Sequence, residues 1–98
     1  MYYTIYQLKD NMEATKKLFL GYDATQKLGG VNVLEYDAIC TGEIPDGEPE
    51  EILEELYIEF NMHRPADFKG HSLSVSDLVA LEDNGTYFCD RYGWKKLN

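Results

Sequence analysis

The stretch SVSDLVALEDNGTYFCD, Ser74 to Asp90, decides how this chain folds. Leu78 to Leu81 is a short, branched, apolar run of the kind that fills a buried strand. A small residue and an aspartate, Ser76 and Asp77, stand directly before it. The words resemble the common x-V-G-D-x-V-x-L lead into a buried strand. There the aspartate bonds nearby backbone amides and makes a turn. Asp77 is therefore read as a structural turn residue. Glu82 to Gly85, EDNG, is a strong hairpin signal. The chain then returns as a strand, so this part of the sheet is antiparallel.

Upstream lies HRPADFKGHSLS, His63 to Ser74, which poses a choice between a reaction centre and polar punctuation. His63 and His71 flank Asp67, but Pro65 and Gly70 exclude one continuous helix, so no i, i+4 ligand pair is available. The HExxH and Cys/His zinc spacings are absent. Ser72, Ser74 and Ser76 alternate with Leu73 and Val75, a period-2 strand pattern that puts Ser74 on a solvent-facing side. No GxSxG elbow is present, and nearness to His71 in sequence is not a triad. Asp67 is read as fixing a turn before Phe68, which anchors the loop in the core. The stretch is taken as punctuation, with no catalytic residue, metal ligand set or cofactor assigned. The competing reading is a small metal-binding protein or enzyme centred on His63, Asp67 and His71. Its motive is the local density of groups that titrate or coordinate.

The remaining elements fall on either side. Tyr2 to Leu8, YYTIYQL, is rich in aromatic and β-branched residues and reads as a strand. Leu18 to Leu20 is read as a second strand. Asp23 is expected to cap a short helix, DATQKL, that Gly29 and Gly30 close. In VNVLEYDAICTGEI, a further strand, Tyr36, Ala38 and Cys40 fall on one face. Pro49 opens the clearest element, PEEILEELYIEF, as proline does at a first helical position. Ile52, Leu53, Leu56, Tyr57 and Phe60 lie within about 140° of its circumference at about 100° per residue. Five glutamates occupy the rest, with Ile58 among them. TYFCDRYGWKKL closes the chain as one strand, or as two with a kink at Gly93. The order is β, β, α, β, α, β, β. That describes a single α+β domain over residues 1–98, with a largely antiparallel sheet of four to six strands and two helices on one face.

Ninety-eight residues bury one modest core, and 44% hydrophobic content makes the chain globular rather than disordered. No apolar run approaches the roughly 20 residues that span a bilayer. No basic segment followed by an apolar one opens the chain, so a cytoplasmic location away from membranes is expected. Cys40 and Cys89 lack CxxC spacing and are read as buried thiols.

The charge is strongly uneven. Of 18 acidic residues, ten lie between Leu28 and His63, where there is no lysine or arginine. That segment disfavours direct contact with a nucleic-acid backbone and suits a basic protein partner. The acidic helix face, Glu51, Glu54, Glu55 and Glu59 with Ile58 at its middle, is the candidate binding surface. RYGWKK, Arg91 to Lys96, interleaves basic and aromatic residues over too short a span to read as a nucleic-acid platform.

Three segments carry a family likeness. YTIYQLK near the start, FNMHRPADFKGHSLSVSDLVAL in the middle and TYFCDRYGW at the end resemble the YodL-like domain, in order and spacing, over nearly the whole chain. Tyr92-Gly93-Trp94 departs from the Ser-Gly-Phe-like ending more usual there. The resemblance implies a setting, that of Firmicutes, their integrative conjugative elements and phage polyvalent proteins. It brings no established activity and no catalytic residues. The expectation is a non-catalytic interaction domain of a mobile element, an acidic modulator of a protein that handles nucleic acid or serves host defence.

Overall fold

The structure is a computed structural model and describes residues 1–63, 66 and 68–98. Strand β1, Tyr2–Leu8, is an interior strand of the sheet, second from one edge, and alternates exposed with buried residues. Strand β2, Tyr36–Glu43, pairs on one side of it and β3, Leu78–Leu81, on the other. Strands β4, Gly85–Asp90, and β5, Gly93–Lys96, extend the sheet beyond β3. The order is β2-β1-β3-β4-β5, and every pairing is antiparallel. The EDNG turn holds Asp83 and Gly85 at positive φ, the conformation a tight hairpin demands. The closing segment is two strands, folded back at Arg91-Tyr92, with Gly93 at φ 102°.

Three helices join the strands: α1, Met12–Thr15, α2, Tyr22–Lys27, and α3, Pro49–Met62. The expected placement of two helices on one face is corrected. Helix α3 packs Ile52, Leu53, Leu56 and Phe60 against Tyr3, Ile5, Val79, Leu81 and Tyr87. Tyr22 of α2 packs with Tyr6, Leu8, Tyr36, Leu78 and Phe88 on the opposite face. Successive strand residues point to opposite sides, so a central sheet with apolar residues at both parities must be covered on both.

The strand expected at Leu18 to Leu20 does not form. Asn11 accepts from the Ala14 amide and caps α1, and the chain leaves it in tight turns, with Leu20 N donating to Lys17 O at 3.1 Å. Both edges of β1 are already taken by β2 and β3, so no local strand can pair back. Asp23 is not the cap of α2 either. The helix starts one residue earlier at Tyr22, whose amide donates to Asp90 Oδ1 at 3.0 Å. A carboxylate from the end of β4 thus does the capping from across the sheet.

Strand β2 starts later than its sequence suggests, after a 3₁₀ turn at Val33–Glu35. Ile5 stands opposite Cys40 and Tyr6 opposite Ala38, which leaves Ile39 as a bulge residue. One extra residue reverses the facing of the strand on its far side. Tyr36 accordingly joins the α2 side, whereas Cys40 packs on the α3 side, and the single-face set of Tyr36, Ala38 and Cys40 is broken.

Candidate functional site

The polar stretch before β3 winds into a turn, not a strand. Asp77 N donates to Ser74 O at 3.0 Å, and Asp77 Oδ2 accepts from Ser74 N at 2.8 Å. Ser76 between them sits at φ 85°, a left-handed conformation that is costly for a residue with a Cβ. Its hydroxyl accepts from Phe19 N, its carbonyl accepts from Tyr36 OH at 2.7 Å, and its amide donates to Cys89 O. Ser74 is half-buried and donates its hydroxyl to Ser72 O at 2.6 Å. The hydroxyls of Ser74 and Ser76 are therefore spent on backbone groups within the fold, and neither serine projects from a strand face.

Asp77 is fully buried at the mouth of β3. Gln7, near the C-terminal end of β1, reaches it. Gln7 Nε2 donates to Asp77 Oδ2 and to the His71 carbonyl, both at 3.0 Å, and Gln7 Oε1 accepts from the His71 amide at 3.2 Å. One carboxamide thus ties the loop to the sheet. Gly70 is required at its position because a Cβ there would collide with Gln7 Oε1.

His71 completes the cluster. Its Nδ1 lies 2.7 Å from Ser72 O, an acceptor only, so Nδ1 carries the proton and donates. The 3.2 Å approach of Gln7 Nε2 to the same nitrogen is then a contact between two donors, not a hydrogen bond. His71 Nε2 faces Asp77 Oδ1 at 3.8 Å. Phe19, itself at φ 64°, covers the ring edge-on, with centroids 5.5 Å apart. Burial pushes the Asp77 carboxyl up to about 7, against the pull of the Ser74 and Gln7 donors. The same burial, with the Asp77 charge nearby, pushes the Cys89 thiol up to about 12.

The other expected site residues go elsewhere. His63 is exposed at the end of α3, where its amide donates to Glu59 O. Asp67 lies outside the described residues. His71 is turned inward to Ser72 and Asp77. Among the described residues no three His, Cys, Asp or Glu side chains stand together as a metal would need. Phe68 packs on the α3 core, its ring 4.9 Å from that of Phe60. No described helix is long and apolar enough to cross a membrane.

On α3, Glu51, Glu54, Glu55 and Glu59 are all exposed. Ile58 among them is 52% exposed, and Met62, one turn further, 73%. Tyr57, assigned to the apolar arc, lies at its edge and is 40% exposed.

A family model of the YodL-like domain matches residues 2–98. The chain belongs to the YodL-like domain family. Comparisons with curated proteins and with solved structures find no match. In this YodL-like domain the segments that carry the likeness meet in space. Gln7 comes from the first, His71 and Asp77 from the second, and Cys89, whose amide donates to Asp77 O, from the third. Gln7 and Tyr36 escaped the reading of the sequence because each lies more than 30 positions from its partner here. The signal for Ser76 was legible: it stands where the x-V-G-D pattern has glycine.

Proposed function

We propose that this YodL-like domain is a non-catalytic interaction module that binds a basic protein through the outward face of α3. The observation that carries the reading is Ile58, half in solvent and ringed by Glu51, Glu54 and Glu55, with Glu59 beside it. Charges of one sign steer an oppositely charged partner and set its orientation. An exposed aliphatic side chain among them gives that partner an apolar anchor. The setting that the family likeness implies adds the rest of the proposal. The domain serves a bacterial mobile element in the cytoplasm, as an acidic modulator of a protein that handles nucleic acid or acts in host defence.

The geometry of His71 supports the non-catalytic reading over a metal or acid–base site. A general base needs one ring nitrogen directed at substrate. Here Nδ1 donates to Ser72 O and Nε2 is buried against Asp77.

Affinity capture from a host lysate tests the proposal with three proteins: the parent, Ile58→Ala, and a combined Glu51→Gln, Glu54→Gln, Glu55→Gln, Glu59→Gln variant. The expected partner is retained by the parent at low salt and lost at 1 M salt, where charges are screened beyond about 3 Å. Both variants should retain less of it. Equal capture by parent and variants, or capture indifferent to salt, would remove α3 as the binding face.

A further inference from the structure

A cleft of about 470 Å³ opens where the first turn of α3 meets the end of the sheet. Its floor is Leu53, Tyr87 and Trp94, and its rim is Glu48, Glu50 and Glu51. Trp94 and Lys96 are two apart on β5, so both point to the α3 side, where Trp94 packs against the core. Lys95 between them points to the other face and lies over Tyr22.

Three features bear on what the cleft takes. First, the three rim glutamates and Lys96 enter no ion pair among the described residues. Second, the positive end of α3 offsets only about half a unit charge. With Lys96 counted, the rim remains negative. Third, the chain already places a cation on the aromatic floor: Lys96 Nζ sits 5.9 Å from the centre of the Tyr87 ring. A ring face attracts a cation at about this distance.

We infer that this cleft is the docking pocket for an arginine side chain of the basic partner, the guanidinium lying on Trp94 and Tyr87 with its N–H groups directed to Glu48, Glu50 and Glu51. The inference rests on the interaction reading above and names the contact that gives it specificity. Arginine fits better than lysine because a planar guanidinium stacks on an aromatic face while its edge donates to carboxylates. Lys96 is a placeholder with no carboxylate partner, and an incoming arginine displaces it.

Trp94 is the single tryptophan of the sequence, so its emission reports on the cleft directly. The whole chain is titrated with end-capped hexa-arginine and hexa-lysine peptides, followed by tryptophan emission and by anisotropy of a labelled peptide. Hexa-arginine should change the Trp94 emission saturably and bind about fivefold or more tighter than hexa-lysine. Glu50→Gln with Glu51→Gln should weaken it by a similar factor, about fivefold. Trp94→Phe keeps an aromatic ring in the core and should weaken it about two- to threefold, since tryptophan is the strongest cation–π face. Lys96→Ala should bind more tightly than the parent, because the resident ammonium is gone; Lys96 is itself exposed, so its truncation opens no cavity in the core. The pocket is wrong if hexa-arginine binds without altering Trp94 emission, or if Lys96→Ala weakens binding; the α3 reading then still stands. Failure of both peptides to bind at low salt overturns the pocket and counts against the α3 reading as well.

Discussion

Asp77 Oδ1 and His71 Nε2 face each other at 3.8 Å, and among the described residues neither atom has a hydrogen-bond partner. The carboxyl is raised from its ordinary 3.8 to about 7 by burial, so the native protein holds a proton that the unfolded chain releases. The stability this proton confers is fully present below about pH 4 and is lost as the pH rises through about 7. Stability, and with it the melting temperature, should therefore fall between about pH 4 and 7 and level off above that, at a rate on the order of 1.4 kcal/mol per pH unit at most. Asp77→Asn keeps an acceptor for Ser74 and Gln7 and does not titrate. Its pH profile over that range should be flatter than the parent's, and its relative stability greatest at pH 8. Parallel profiles for the two proteins would show that Asp77 does not titrate there.

Asp77→Ala removes the acceptor for two buried donors, Ser74 N and Gln7 Nε2. It should cost about 1–3 kcal/mol, the penalty for orphaning such groups. At roughly 4–8 °C per kcal/mol for a domain of this size, a thermal melt resolves that easily. Gln7→Leu, which cuts the same tie from the β1 side, should fall in the same range. A variant of either kind that melts at or above the parent would contradict the turn geometry.

Ser76 separates backbone strain from hydrogen bonding. Ser76→Ala keeps the Cβ at φ 85° and loses the bond to Phe19 N. Ser76→Gly loses that bond but relieves the strain, which is about 1 kcal/mol or more. Denaturant midpoints should place the glycine variant close to the parent and the alanine variant about 1 kcal/mol below it. The reverse order would mean that the left-handed conformation at Ser76 is wrong.

The α2 cap gives a paired comparison. Asp90→Ala should cost about 0.5–2 kcal/mol, the usual range for a lost N-cap. Asp23→Ala, in the first turn without a cap bond, should cost about 0.3–1 kcal/mol through the helix dipole alone. Chemical denaturation of both variants at one pH checks the order.

Much of the fold was legible because it depends on local chemistry. Pro49 and the 3.6-residue spacing of Ile52, Leu53, Leu56 and Phe60 determine α3 wherever it packs. EDNG, Gly93 and the alternation of β1 are of the same kind. Hairpins need only their own turn residues, so the pairing of β3 with β4 follows from the sequence, whereas Gly93 left open whether the closing segment is one strand or two.

Tertiary structure decided whatever depends on a partner distant in the chain. Leu18 to Leu20 has the makings of a strand, yet β1 had no free edge to offer it. Asp23 has the right chemistry for a cap, but Asp90 supplies it across the sheet. The bulge at Ile39 sent Tyr36 and Cys40 to opposite faces. The polar stretch ahead of β3 showed the same division. From sequence, Asp77 was a turn residue and His71 one of three possible ligands. Gln7, 70 positions from Asp77, draws the two into one buried cluster. Local propensities name the elements, whereas burial, facing and proton affinity are set by which surfaces meet, and no stretch of sequence contains both sides of that contact.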